Sequence, residues 1–287
     1  MLTSFYNKFS KISNVHKFLV SSIILNIISY PTGPFLPDFF LITTLIFFLY
    51  HYKKISLTEI FKSPIFYFFI IFFLFLIIRS FFVVEFFVSI KSSLFYFRFF
   101  FYSICFFFLF RDFKKFAVII YWTTMIVLLF VLIDTYVQYL FEKDLFGYPR
   151  HHTRLSGPFG DELIVGSYIA KITPFLFSIY FLINKKLNFY HLVLLTLSWV
   201  IVFLSGERTS FFYMTIVMIS FFLFYKAESN SKQILLLLFL SIISFGIASQ
   251  DKTAKNRMVQ HTLCTMNIKF FDFDCSRTAD ESTIKKK

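Results

Sequence analysis

Residues 189–225 read FYHLVLLTLSWVIVFLSGERTSFFYMTIVMISFFLFY, in which two apolar runs are joined by the short polar connection Leu204-Ser205-Gly206-Glu207-Arg208-Thr209-Ser210. A lipid-facing arginine costs roughly 2–3 kcal/mol or more, so an arginine at the end of an apolar segment usually faces a polar cavity or an anionic partner. The stretch therefore predicts a pair of transmembrane helices whose connection has a functional role. A short structural hairpin with a Glu-Arg pair is the alternative.

The apolar pattern of this stretch recurs along most of the 287-residue chain. Hydrophobic residues make up 57% of the sequence, charged residues 16%, and the mean hydropathy is +0.72. Such a composition predicts an all-α, polytopic membrane protein and gives no reason to expect a nucleic-acid partner. The 49 Phe residues are typical of codon bias in an AT-rich genome and indicate little about function.

Hydropathy divides the chain into about nine predicted spans, which form a transmembrane domain over residues 1–249. The segment at 18–30 reads as a signal anchor, since no small-residue cleavage site follows it. Residues 250–287 form a polar tail. The predicted spans are 17–31, 35–51, 64–83, 95–110, 116–138, 164–183, 189–205, 211–225 and 233–249.

Basic residues predict the orientation of these spans, because cytoplasmic ends carry an excess of Lys and Arg. With this rule the N-terminus is cytoplasmic, and the tail lies outside together with the loops at 31–37, 79–94, 139–163 and 205–210. The residues that set the cytoplasmic side are Lys8, Lys11, Lys17, Lys53, Lys54, Lys62, Arg111, Lys114, Lys115, Lys185, Lys186, Lys226 and Lys232.

Arginine is concentrated on the predicted outer side, where bidentate binding of phosphate or carboxylate distinguishes it from lysine. The glycines follow the same side, which indicates irregular backbone there. The outer arginines are Arg79, Arg98, Arg150, Arg154, Arg208, Arg257 and Arg277. The glycines are Gly33, Gly147, Gly157, Gly160, Gly166, Gly206 and Gly246.

The loop 149–162 gathers the densest set of polar side chains. Gly157, Pro158 and Gly160 favour a tight turn that could bind an anion. Asp161 and Glu162 are predicted to cap a helix that begins near Leu163, and a solvated loop with such a cap is the alternative.

In the connection 204–210, Gly206 is predicted to end one helix, and Thr209 or Ser210 to cap the next.

Several other polar residues have weaker assignments. Lys91 and Arg98 share a helical face, which predicts a short interfacial helix that runs into the fourth span, with snorkelling to headgroups as the alternative role for their charges. Asp134 shares a face with Gln138 and is predicted to pair with an outer arginine. The adjacent His151 and His152 lack a third ligand by spacing, so we expect no metal.

Cysteine usage is uninformative about chemistry. Cys105 lies inside a predicted span, and Cys264 and Cys275 share the tail, where they form either one disulfide or two free thiols.

Together these motifs resemble the bacterial O-antigen ligase and O-antigen polymerase family of multi-pass inner-membrane glycan transferases. The Ser205-Gly206-Glu207-Arg208 segment is similar to the Ser-Gly-x-Arg helix-end motif of that family. Three other segments carry the resemblance: 31–38, 91–98 and 154–159. Their order along the chain and their predicted outer side match the family, and together the segments extend over nearly the whole chain.

The resemblance implies transfer of a glycan from an undecaprenyl-diphosphate donor to a hydroxyl of lipid A core or of another glycan, within the bacterial inner membrane and without metal or cofactor. Arg208 and Arg154 would hold the diphosphate as catalytic residues, because preorganised cations stabilise the charge that develops on a leaving group. Further substrate-binding residues would be Arg98, Arg79, Lys91, Glu207, Asp161 and Arg257.

One departure from the family pattern concerns the tail. In the family, the large outer loop continues, supplies a catalytic His and is followed by further spans, whereas here Asn256-Arg257-Met258 resembles only the opening of that loop. We do not assign the role of the family's catalytic His to His261. We therefore expect an incomplete chain, and keep a transporter of a lipid or small anionic solute, or an inactive remnant, as alternatives.

Overall fold

The computed structural model describes residues 14–51, 64–112, 115–151, 154–184 and 188–225, together with the isolated positions 239, 242, 243, 246 and 250. Within these residues the chain is all-helical, without a strand. The helices are α1 Asn14–Ser29, α2 Phe35–His51, α3 Pro64–Ser80, α4 Phe86–Phe95, α5 Phe97–Asp112, α6 Phe116–Phe141, α7 Val165–Ile183, α8 Phe189–Leu204 and α9 Arg208–Tyr225.

Among the described residues, three helical segments are long and apolar enough to cross a membrane: Phe86–Arg111, Phe116–Phe141 and Val165–Ile183. A hydrocarbon core of about 30 Å needs about 20 residues of helix, and these segments meet or approach that length. The helix α6 also exposes Trp122, Ile126 and Ile133. A helix on the surface of a soluble protein would carry polar residues there, so this exposed face suits contact with lipid.

Eight of the nine predicted apolar runs coincide with a described helix, and their ends agree to within a few residues. The run at 233–249 lies almost wholly outside the described residues. Pro174 lies inside α7. The predicted short helix before the fourth span is α4, which Tyr96 separates from α5.

The chain divides into two compact units, Met1–Ile120 and Tyr121–Lys287. In the first unit, α1 and α2 form a hairpin closed by the 3-10 turn Tyr30–Thr32. Buried hydroxyl groups join the two helices, with Ser22 Oγ and Thr44 Oγ1 2.7 Å apart. The helix α2 also packs against α5, and α3 packs against α4.

Asn26 joins three helices of the first unit. Its Nδ2 donates a hydrogen bond to the Pro37 carbonyl of α2 (2.6 Å), and its Oδ1 accepts one from the Tyr102 hydroxyl of α5 (3.0 Å). Asn26 is buried. Because a buried polar group without a partner is costly, the amide fixes the mutual positions of α1, α2 and α5.

In the second unit, α7, α8 and α9 pack against one another. The helix α8 is buried over most of its length, including its polar residues. His191 Nε2 lies 2.7 Å from the Tyr121 hydroxyl of α6, and its ring lies 3.9 Å from that of Tyr180 in α7. The Tyr136 hydroxyl of α6 donates to the Leu197 carbonyl of α8 (3.1 Å). The helix α8 is therefore the centre of this unit.

Replacing Asn26 with Ala should lower the free energy of unfolding by about 1–3 kcal/mol, since the Pro37 carbonyl and the Tyr102 hydroxyl both lose their partner. The measurement is denaturant unfolding of the protein in mixed micelles. Ser103→Ala is the matched control, because the Ser103 hydroxyl is exposed and bonds only the Phe99 carbonyl of its own helix. Equal stability of the two variants would show that Asn26 does not join the helices.

Candidate functional site

The polar residues of the second unit gather where α6 connects to α7 and α8 connects to α9. We call this region the loop end; it comprises the described residues of 142–164 and the connection Ser205, Gly206 and Glu207. The predicted end of α8 is confirmed: the helix stops at Leu204, and Gly206 has φ +72°, a backbone conformation that glycine adopts without strain.

Glu207 is the residue that joins these two connections. Its Oε1 accepts a hydrogen bond from the Gly166 N–H in the first turn of α7 (3.1 Å), and its Oε2 accepts one from the Ser210 hydroxyl of α9 (2.9 Å). The side chain is 10% exposed. A carboxylate is stabilised at the N-terminus of a helix, where unpaired N–H groups and the helix dipole are positive. Glu207 therefore anchors the beginning of α7.

Arg154 is held by the same carboxylate. Its Nη2 lies 3.6 Å from Glu207 Oε1 and donates a hydrogen bond to the Leu163 carbonyl (2.9 Å). The side chain is 22% exposed, and its buried Nε has no hydrogen-bond partner in the described part of the chain. The loop that carries Arg154 and the Gly-Glu-Arg connection thus meet in space, although Glu207 lies 53 positions after Arg154 in the sequence.

Gln138 fixes the turn that follows Arg154. Its Oε1 accepts hydrogen bonds from the backbone N–H groups of Ser156 and Gly157 (both 2.9 Å), and its Nε2 donates to the Ser156 hydroxyl (3.1 Å). Both Gln138 and Ser156 are fully buried. One amide near the end of α6 therefore satisfies three polar groups of the loop, and the 3-10 turn Gly157–Phe159 follows from this point.

Two aspartates organise the other half of the connection. Asp144 Oδ1 accepts from the N–H groups of Phe146 (3.0 Å) and Tyr148 (2.7 Å), which folds the segment into a tight turn. The predicted pairing of Asp134 with an arginine is wrong within the described residues. Asp134 Oδ1 instead accepts a hydrogen bond from the Leu145 N–H (3.0 Å), because the turn that follows α6 places this N–H beside the buried carboxylate.

The histidine and the second arginine of the loop contact acids nearby. Arg150 Nη1 lies 3.6 Å from Glu142 Oε1, and the guanidinium lies over the Tyr139 ring, 5.4 Å from its centroid. His151 Nε2 lies 3.8 Å from the exposed Asp161 Oδ1. His152 lies outside the described residues.

Two predicted helix caps are wrong. The N-cap position of α7 is Ile164, which makes no side-chain cap hydrogen bond, so Asp161 and Glu162 do not cap this helix. Glu207 supplies the carboxylate instead, from the neighbouring connection. Thr209 and Ser210 do not cap α9 either, because the helix already begins at Arg208 and Ser210 donates to Glu207.

The remaining candidate residues are distributed over both units. Arg208 is the first residue of α9 and is exposed. In the first unit, Arg98 Nη1 donates to Asp38 Oδ2 (3.0 Å), whereas Arg79 and Lys91 are exposed. Arg257 lies outside the described residues. The structure thus brings Arg154 and Glu207 together, with Arg208 next in the chain.

Sequence reasoning missed the roles of Gln138, Asp144 and Gly166. The position of Gln138 one turn after Asp134 on an apolar helix was a usable signal, since two buried polar residues on one face need partners. For Gly166 no sequence signal exists. A Cβ at this position would overlap Ser205 Oγ and lie 3.1 Å from Glu207 Cδ, so α7 and the α8–α9 connection approach closely only because the residue is glycine.

The described fold defines an all-helical protein with helices fit to cross a membrane and with a polar site assembled from two helix connections. Comparisons with models of protein families, with curated proteins and with solved structures find no match for this chain.

Replacing Gln138 with Leu should speed hydrogen exchange of the Ser156 and Gly157 amides by roughly 10- to 100-fold, because each loses an acceptor worth about 1–3 kcal/mol in a buried site. Amide exchange followed by mass spectrometry or NMR in micelles measures this. Tyr136→Phe is the control on the same helix, since its hydroxyl contacts α8 instead of the loop. Unchanged amide exchange in the Gln138 variant would contradict the conclusion that Gln138 fixes this turn.

Replacing Gly166 with Ala should lower the thermal stability, with an overpacking cost of about 1–3 kcal/mol. Adding Ser205→Ala removes the oxygen that the new methyl group overlaps, so part of the loss should be recovered in the double variant. A thermal unfolding series of the wild type, both single variants and the double variant tests this. Strictly additive losses would mean that the two residues are not in contact.

Proposed function

We propose that this chain is a bacterial inner-membrane protein that takes part in the transfer of an undecaprenyl-diphosphate-linked glycan to an acceptor hydroxyl, on lipid A core or on another glycan. The proposal includes nine passes, a cytoplasmic N-terminus and a periplasmic tail at 250–287. The observation that carries it is the contact of Arg154 with Glu207, which joins the two motifs that resemble the O-antigen ligase and polymerase family.

The chemistry requires a cationic site at the diphosphate. The acceptor oxygen forms a bond to the anomeric carbon, and the bond from that carbon to the phosphate oxygen breaks. The bonding electrons leave with undecaprenyl diphosphate, and the acceptor hydroxyl gives up its proton to water. Charge therefore develops on the diphosphate, and a preorganised guanidinium in a site of low dielectric stabilises it, often by about 3 kcal/mol for each donor.

Arg154 is suited to such a site because its position is already determined. Glu207 and the Leu163 carbonyl both engage Nη2, whereas Nη1 makes no hydrogen bond in the described part of the chain and is available to an anion. The carboxylate holds the guanidinium in place before a ligand arrives. Preorganisation of this kind reduces the cost of ordering the side chain on binding.

Arg208 supports the proposal through its place in the fold. It is exposed at the first turn of α9, where the unpaired N–H groups and the helix dipole favour an anion. The preceding residue contacts Arg154, so the two arginines belong to one polar region. Arg98 and Arg79 belong to the first unit, and the proposal assigns the diphosphate to Arg154 and Arg208 alone.

Transport of a lipid or small anionic solute is the second candidate, favoured by two residues of α7. Lys171 is exposed on this apolar helix, and Pro174 removes one backbone hydrogen bond in its interior. Transporters combine interrupted helices with charges at membrane depth. Flux of solute across proteoliposomes, without a new glycosidic bond, would favour this candidate.

The decisive measurement is the binding of undecaprenyl diphosphate to the purified 287-residue chain in nanodiscs, followed by native mass spectrometry. Arg208→Lys and Arg154→Lys keep the charge but remove the planar fork that binds two phosphate oxygens, so each should weaken binding by about tenfold or more.

Arg150→Lys is the matched control, because Arg150 lies in the same loop and pairs with Glu142. Its affinity for the diphosphate should equal that of the wild type. Binding that is absent in the wild type, or that survives both lysine substitutions, would contradict the proposed role of the loop end.

A further inference from the structure

The first unit contains an open cleft of about 370 Å³ between the end of α3 and the start of α4. This volume lies within the range of small-molecule sites in proteins. Its polar lining consists of Arg79, Glu85, Ser89, Ser92 and Ser93, and its apolar lining of Leu76, Val83 and Val88.

The two charged residues of the cleft are of opposite sign and are not paired. Arg79 and Glu85 are both exposed and, within the described residues, their side chains make no hydrogen bond or ion pair. A site with one cation and one anion, separated by neutral hydroxyl groups, matches a ligand that carries both charges. A ligand that carries only negative charge would be repelled by the Glu85 carboxylate.

The serines of the cleft have their hydrogens engaged by the protein. Ser92 Oγ donates to the Val88 carbonyl (3.0 Å), and Ser89 Oγ donates to Ser80 Oγ (3.1 Å). Ser93 Oγ lies 2.9 Å from Ser80 Oγ and 3.3 Å from the Leu76 carbonyl. What these hydroxyl groups still offer is oxygen lone pairs, which accept hydrogen bonds. Acceptors next to Glu85 suit an ammonium group, which has three N–H donors.

The surface beside the cleft is apolar. The turn between α3 and α4 and the first turn of α4 expose Phe82 (84%) and Phe87 (82%), and Phe81 and Val84 are exposed as well. Contiguous exposed apolar surface of this kind marks contact with a membrane or partner. Lipid headgroups surround the ends of helices that cross a membrane. A polar cleft at such a helix end, next to an apolar surface, is therefore at the depth of the headgroups.

We propose that this cleft binds the headgroup of a zwitterionic phospholipid that carries a primary ammonium, of the phosphoethanolamine type. The Arg79 guanidinium binds the phosphodiester, and the ammonium lies against Glu85 and the serine oxygens. Leu76, Val83 and Val88 contact the glycerol and the upper acyl chain. The site belongs to the first unit and is independent of the arginine site in the second.

The test uses the purified full chain in detergent micelles, with dioctanoyl phosphatidylethanolamine as the probe and native mass spectrometry as the readout. Arg79→Gln and Glu85→Gln should each weaken binding by about tenfold, because each removes a charge-assisted contact. Arg111→Gln and Glu162→Gln are the matched controls, since both are charged residues outside the cleft, and both should bind the lipid as the wild type does.

Three other probes distinguish the sources of the phosphate. Dioctanoyl phosphatidylglycerol and phosphatidylcholine should bind more weakly, since the first lacks the ammonium and the second lacks its N–H donors; equal binding of either would overturn the assignment. Tighter binding of undecaprenyl phosphate would also overturn it. Binding that neither cleft variant changes would show that the lipid contacts another surface.

Discussion

The contact of the Glu207 carboxylate with the first turn of α7 is the interaction on which the second unit depends. Glu207 lies in the connection between α8 and α9, yet its oxygens bind Gly166 of α7, Ser210 of α9 and Arg154 of the preceding loop. Removing one member of such a group leaves a poorly solvated charge without compensation, and breaking a buried charge pair is far costlier than its net contribution suggests. The contact therefore determines where two helices begin relative to each other.

The same physical solution recurs elsewhere in the chain. Gln138 pairs with two backbone N–H groups of the following loop, Asp144 with two others, and Asn26 with a backbone carbonyl and a hydroxyl. An apolar chain offers few polar side chains. Each of these short polar side chains therefore satisfies two or more polar groups of the protein.

The positions of the helices could be predicted from the sequence, because apolar runs between polar connections leave the backbone no partner but itself. The end of α8 at Leu204 follows from Gly206. A short helix before the fourth span is predicted from Lys91 and Arg98, although the structure places Lys91 in α4 and Arg98 in α5. The partners of polar side chains could not be predicted in this way. Asp161 and Glu162 precede α7 as capping residues should, but the carboxylate that anchors α7 comes from 41 residues further along the chain.

The prediction that Asp134 pairs with an arginine is wrong for the same reason. The sequence shows a buried acid and several arginines, and electrostatics alone favours joining them. The loop backbone brings the Leu145 N–H to the carboxylate instead, and the conformation of that loop depends on Asp144 and Gln138 acting together. Contacts of this kind are properties of the folded chain, because they depend on a turn that exists only after its own hydrogen bonds have formed.

The central place of α8 has a consequence for biosynthesis. This helix is buried over most of its length, and its packing partners α7 and α9 are the helices immediately before and after it in the chain. Its polar residue His191 contacts the rings of Tyr180 and Tyr121, both of which are synthesised before it. Contacts between neighbours in sequence form fastest, since little chain entropy is lost in closing them. The helices α8 and α9 therefore each meet a partner that has already been synthesised, and for this pair the order of translation is also an order of assembly.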